Sequence, residues 1–213
     1  MQAEDGYHVA VSKTGKKEED IMSMPFWGYF LAIEQDLEQC TRYIQFDEKN
    51  YKMFSLEFAR IIVASGAECD TVMKLLCESI HGSGVSDSIL ERFRIVNSAY
   101  PKFVEHEIEI PRYGLSFTPW KTWSSTNSPD WWNNAYNKIK HERDKYFENA
   151  NLENAILATA ALLCTLRYYY EELKSKQSIR LHINLSESPR LLSPKHYAPW
   201  LDVEITWDYY LPQ

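Results

Sequence analysis

From Phe26 to Phe46 the apolar residues Phe26, Phe30, Ile33, Leu37, Cys40 and Ile44 recur at three- and four-residue steps, the period of one helix face. Asp47 to Asn50 breaks that run with polar turn formers. A second stripe, Phe54, Phe58, Ile61, Ile62, Ser65, Cys69, Val72, Leu75 and Leu76, is long enough for about eight turns before Gly82 and Gly84 end it. A third runs from Ser86 to Tyr100 through Ile89, Phe93 and Val96, with Ser86 or Asp87 as its cap and Pro101 as its stop.

Between Lys102 and Asp130 the period changes from helical to alternating. His106-Glu-Ile-Glu-Ile-Pro and Leu115-Ser-Phe-Thr-Pro-Trp flank Tyr113-Gly114, and together predict a short hairpin or extended arm. Pro111 and Pro119 place these as edge strands. Ser128 is set to cap a helix with Pro129 at its first position, running to about Phe147 with Trp132, Ala135, Tyr136, Ile139, Tyr146 and Phe147 on one side. The next helix, about Leu152 to Lys174, is apolar over much of its circumference and belongs at the centre of a bundle. Beyond Gln177, Ile179 to Leu185 and Leu201 to Trp207 alternate again around a Pro-containing loop, a second hairpin that could pair with the first arm.

The fold class that follows is mainly α: an antiparallel bundle of four to five helices with a small β-hairpin or extended-arm element. Residues 1–22 read as a flexible polar tail, 23–176 as the bundle with an extended insertion at about 102–128, and 177–213 as an extended or hairpin tail. At 213 residues and 45% hydrophobic, the chain can bury one sizeable core.

A formal charge of -7 gives no global attraction to phosphate, so nucleic acid could be held only by a local basic patch. Cys40, Cys69, Cys77 and Cys164 fall on helical segments without metal-ligand spacing and read as reduced core residues. The charged first twenty residues carry no apolar run, and no stretch approaches the roughly 18 apolar residues of a membrane span. A cytoplasmic protein with no membrane partner, no metal and no cofactor is expected.

The candidate chemistry gathers at Trp131 to Phe147. Asn137 and His141 stand four apart and share a helix face, and His141 lies on the side opposite the apolar stripe. The ordinary reading is a solvated polar face. The sharper one is a cleft, completed by a second subunit, in which His141 moves a proton while Lys138, Lys140 and Arg143 hold phosphate. Glu68 lies on the apolar stripe of the second helix and needs a partner there; either it bonds Tyr136, Arg143 or a Trp indole and locks the bundle, or it orients a cleft residue as part of the ligand site, while Asp70, off the stripe, is expected to be exposed. Glu57 and Arg60 form an ordinary surface pair. Trp120, Trp123, Trp131 and Trp132 either pack an irregular arm against the helices or stack bases.

A helical bundle with Tyr136-Asn-Lys-Ile-Lys-His-Glu-Arg at the head of its penultimate helix, followed by the Asn151 to Leu166 helix, resembles the HEPN superfamily (higher eukaryote and prokaryote nucleotide-binding domain) over about Phe26 to Lys176. The resemblance implies a homodimer, and in many such proteins a metal-independent ribonuclease of toxin or phage-defence systems. In those, an Arg stands five to seven residues before the His. Here those positions hold Tyr136, Ala135 and Asn134, so the chain departs from the nuclease pattern. Three readings follow. One is a dimer that binds RNA, a nucleotide or a protein partner in stress or phage defence. Another is an endoribonuclease in which His141 is the acid or base and Arg143, Asn137 and Lys140 position the phosphate. The third is a structural subunit of a larger assembly.

Overall fold

The structure, a computed structural model, describes residues 24–176 and 188–195, apart from the Lys174 side chain. The tail strands expected over 179–185 and 201–207, and the polar segment 1–22, lie outside the described residues. Within them the chain is mainly α, with a small three-stranded antiparallel sheet. No helix among the described residues is long and apolar enough to cross a membrane.

Helix α1 spans Pro25–Cys40 and buries Trp27, Phe30, Ile33, Leu37 and Cys40. It stops short of Phe46: the Thr41 hydroxyl donates to the Glu38 carbonyl at 2.7 Å, and the backbone unwinds through turns to Ile44. Phe46 is buried beyond the helix rather than on it. Helix α2 (Leu56–His81) opens at Ser55, whose hydroxyl accepts from the Phe58 N–H at 3.0 Å, a cap worth about 1 kcal/mol. Gly82, at φ 96°, ends it. Phe54, expected as the first step of the α2 stripe, instead lies ahead of the cap and bridges to Asn151.

That bridge starts two helices at one place. The Ser55 N–H donates to the Ala150 carbonyl and the Leu152 N–H to the Met53 carbonyl, so α2 and α5 (Leu152–Lys176) leave side by side. They then run in the same direction, Ser65 meeting Thr159 at 3.1 Å and Cys69 meeting Thr165 at 3.5 Å. The antiparallel relation expected of bundle neighbours therefore does not hold for this pair, because the long stretch 82–150 carries the chain back to the start of α2. As the apolar circumference of α5 predicts, Ala155, Ile156, Ala158 and the unbroken run Ala160 to Leu166 are all buried. Ala side chains let the two axes approach, and each Thr on the seam turns its hydroxyl back onto its own helix, Thr159 to Ala155 and Thr165 to Ala161.

Helix α3 (Ile89–Ala99) begins later than the Ser86 cap predicts; Ser86 instead accepts from the Ser88 N–H. Strands β1 (Ile108–Ile110) and β2 (Leu115–Phe117) form the expected hairpin, in register Ile108 to Phe117, around Gly114 in the left-handed region at φ 65°. The surprise is β3, Ser193–Pro194, which pairs with β1 on its other side. Hence β1 is the central strand rather than an edge, and the tail piece that reaches it is the Pro-containing loop. Proline costs nothing in this arrangement, since Pro111 lies just past the end of β1 and Pro194 sits on the outer strand.

The tryptophans close the core between this arm and the helices. Trp120, Trp123, Trp131 and Trp132 are all buried, with rings in tilted or edge-to-face contact. Three indole N–H groups donate to backbone carbonyls, Trp120 to Ala161, Trp123 to Ile89 and Trp131 to Pro119. No face of these rings is open to a base, so the packing reading of the cluster holds.

Candidate functional site

The segment carrying the candidate residues starts one residue later than Pro129 and is wound more widely than an α-helix. Trp131–Asn137 forms a π-helical stretch that passes into α4, Lys138–Glu142. Ser128 makes no side-chain cap; the Pro129 carbonyl accepts from Trp132 and Asn133, and the Asp130 carboxylate takes the Asn134 amide at 3.1 Å. Trp131, Trp132, Ala135, Tyr136 and Ile139 are the buried positions. Their recurrence is every four residues, longer than the 3.6 of an α-turn, and the wider winding keeps all five on one side. The helix ends at Glu142, before the expected Phe147, and a short turn at Phe147–Asn149 leads to α5.

One contact fixes this segment against the core. A Cβ built on Gly66, in the middle of α2, would lie 2.3 Å from the Tyr136 ring. Glycine is therefore required there by the close approach of the ring, not by backbone conformation. The Tyr136 hydroxyl accepts from Lys140 Nζ at 3.3 Å, and the same ammonium lies 5.3 Å from the ring centroid.

Around that anchor the polar residues divide. Lys138 sits 4.6 Å over the Tyr146 ring and 3.7 Å from Glu142, which also takes Lys145 at 2.8 Å. The two lysines hold the Glu142 carboxyl below its usual range, Lys145 foremost through its hydrogen bond. Asn137 is half-buried at the junction with α4, whereas His141 and Arg143 are exposed. Neither His141 nor Arg143 has a hydrogen bond or ion pair among the described residues. Asn137 and His141 share a face across one α-turn, while Arg143, two residues further, points about 200° away from His141. The cations of this turn thus fan out rather than converge on a point.

Glu68 does not join them. It lies two positions beyond Gly66 on α2, about 200° around the helix from the face that meets Tyr136. Half-buried, its carboxyl is raised by burial. Of the partners expected for it, Tyr136 is engaged with Lys140, the indoles of Trp120, Trp123 and Trp131 with backbone carbonyls, and Arg143 is exposed and makes no ion pair with it.

The polar groups that do converge are ones the sequence reading passed over. Arg92 is 2% exposed; its guanidinium donates to the Asp70 carboxylate at 2.5 Å, the Asp70 carbonyl at 3.2 Å and the Ser86 carbonyl at 3.0 Å. Asp70, expected to be exposed, keeps a side chain 42% exposed and at the same time anchors α3 on α2. His106 is 7% exposed, with Nε2 3.5 Å from Arg167 Nη1 and Nδ1 3.5 Å from the Tyr168 hydroxyl. A guanidinium only donates, so Nε2 is the bare nitrogen and Nδ1 carries the proton. Burial first, and the Arg167 charge second, push the His106 pKa down to about 4. Both residues carried a readable signal: His106, two residues ahead of β1, continues the alternation of the buried Ile108 and Ile110, and Arg92 lies between Ile89 and Val96 on the α3 stripe.

A cavity of about 480 Å³ lies between α1 and residues 188–190, lined by Leu31, Glu34, Gln35, Ser188 and Arg190 among others. None of its lining residues belongs to α4, so it does not serve the His141 face. Among the described residues no three His, Cys, Asp or Glu side chains gather as metal ligands, and the four cysteines are buried thiols. Compared with known proteins, the chain matches no family model, no curated protein and no solved structure.

Proposed function

We propose that this is a HEPN-like helical protein that works as a homodimer and binds RNA through the exposed turn 138–145. The observation that carries the reading is the state of His141 and Arg143: exposed, without an internal partner among the described residues, beside Lys140 and on a segment locked in place by the Gly66–Tyr136 contact. Phosphate contacts need cations that are free and rigidly based, and they need no convergent geometry. Glu142 engages Lys138 and Lys145, which restricts the patch to a few contacts and fits a chain too acidic to coat nucleic acid generally.

The endoribonuclease reading has less support. A general acid or base must be oriented on its proton by neighbouring groups, and within one copy nothing among the described residues orients the imidazole of His141. Binding of a labelled structured RNA, followed by fluorescence anisotropy across a salt series, tests the proposal. Affinity should fall with salt and fall further in the Lys140→Ala/Arg143→Ala double variant; salt-independent binding, or none, would refute it. Cleavage of the same RNA in EDTA by the parent and not by His141→Ala would replace the binding reading with the enzymatic one.

A further inference from the structure

Phe54 opens the apolar stripe expected of α2, yet it is 52% exposed, and Met53 and Leu56 on either side of it are 53% and 67% exposed. Single apolar residues on a surface are ordinary, whereas a cluster of them marks a contact surface. This cluster is rigidly based. Phe54 bridges to Asn151, the flanking Ser55 N–H and Met53 carbonyl are tied to Ala150 and Leu152, and its ring stands edge-to-face with Phe147, centroids 5.4 Å apart at 77°. An edge-to-face contact occupies at most one face of a ring, so Phe54 keeps a face open to solvent. The cluster also adjoins the cationic turn. Phe147 follows Arg143 by four residues, at most about 14 Å of chain, and the Tyr146 N–H folds that span back onto the Glu142 carbonyl at 3.2 Å. Of the neighbouring carboxylates, Glu57 is engaged by Arg60 and Glu153 by Lys52 at 2.7 Å. Glu148, exposed beside Phe147, favours a neutral base over a phosphate above the rings.

We infer that Phe54 and Phe147 form a platform on which an unpaired base of RNA stacks while the adjoining phosphates lie on Lys140 and Arg143. This rests on RNA binding by the turn 138–145 and names the class of RNA: a strand with free bases, since a duplex turns its base faces onto one another. Cations that track a backbone, with aromatic faces beside them, are the combination that holds unpaired strands, and the stacking tolerates any base. The four tryptophans cannot serve, being buried. A protein partner could cover the apolar cluster too, but an open ring next to the exposed cations Lys140 and Arg143 matches the alternation of base and phosphate along a strand.

The test compares an RNA strand without self-complementarity with its perfect duplex, by fluorescence anisotropy on the full-length protein across a salt series. The parent should bind the strand at least about tenfold tighter than the duplex. Phe54→Ala should lose about tenfold on the strand, nothing on the duplex, and keep the salt slope, while Phe54→Tyr should bind as the parent does. In parallel, the strand carrying 5-iodouridine is photo-cross-linked to the unaltered protein and the joined residue is read by mass spectrometry, a measurement that does not depend on a variant folding. Cross-links at Phe54 or Phe147 are expected. Equal binding of strand and duplex, unchanged strand affinity in folded Phe54→Ala, or cross-links confined to other residues would each overturn the platform. The salt-dependent contact of the cationic turn would then still stand, with a protein as the remaining class of occupant for the apolar cluster. Absent or salt-independent RNA binding by the parent would overturn the turn and the platform together.

Discussion

His106 and His141 sit in opposite physical settings. His106 lies buried two residues ahead of β1, with Arg167 and Tyr168 at its two ring nitrogens and its pKa pushed down to about 4. His141 lies on the last turn of α4, exposed and without a hydrogen-bond partner among the described residues. The first has the surroundings that set a protonation state but no access for a substrate; the second has the access but not the surroundings. The same division separates the arginines, Arg92 locked among acceptors and Arg143 free. Among the described residues, the converging polar groups around Arg92 and His106 hold the fold together, and the proposed recognition surface is made of groups the fold does not use.

Removing the most enclosed of these groups should have the largest effect. Arg92→Ala deletes a buried cation together with its packed stem, and leaves the Ser86 carbonyl and the Asp70 carboxylate without their donor. Losses of this kind run to about 3–4 kcal/mol. Urea unfolding followed by circular dichroism should show a midpoint far below that of the parent. A loss under about 1 kcal/mol would mean that burial does not separate the two arginines energetically.

Acid provides the next largest effect and bears on the histidines directly. In the unfolded chain His106 regains the ordinary value near 6.5, whereas in the fold it stays neutral down to about 4. Between those values the unfolded state binds a proton that the native state refuses, so stability is lost as pH falls from about 6.5 to about 4 and levels off below. The whole depression corresponds to about 3 kcal/mol. Replacing His106 with Gln should remove this part of the pH dependence, while His141→Ala should leave it untouched. Equal responses from the two variants would contradict the assignment of the sealed site to His106.

How much of this was readable beforehand follows from the range of the interactions. The apolar stripes of α1, α2 and α5 report burial against any neighbour, and they are buried in Phe30 to Cys40, in Phe58 to Leu76 apart from the half-buried Leu75, and in Ala155, Ile156, Ala158 and Ala160 to Leu166. Local spacing also placed the imidazole of His141 away from the core. Partners remote in sequence left no such trace. Glu34 stands four residues from Phe30 on the buried stripe, which shows a carboxylate needing a donor, but the donors are 157 and 158 residues away. The direction of α5 relative to α2 depends likewise on where the 82–150 stretch returns, and the wide winding at Trp131–Asn137 depends on the fit of Tyr136 over Gly66.

That fit joins the buried and exposed regions, and breaking it should cost an intermediate amount. Gly66→Ala gains up to about 1 kcal/mol of helix propensity, but its methyl group would meet the Tyr136 ring inside van der Waals distance. Overpacking of this sort costs about 1–3 kcal/mol or more, so the net change should be a loss of about 2 kcal/mol. In a Tyr136→Leu background the same substitution should cost much less, and thermal unfolding of the four proteins in the cycle measures the coupling. Additive effects would show that the ring does not wedge against α2.

The smallest stability effects belong to the exposed turn, where they sharpen the contrast by their absence. Arg143→Ala and His141→Ala should each stay within about 0.5 kcal/mol of the parent in unfolding, as surface substitutions do. Their effect should appear in RNA binding instead. A cation that neutralises one phosphate releases about one counterion, so Arg143→Ala should weaken binding similarly across RNA sequences and reduce the slope of log affinity against log salt by about 1. If Arg143→Ala instead destabilised the fold and left that slope unchanged, this arginine would belong with Arg92 as part of the scaffold, and the open turn would lose its claim to be the recognition surface.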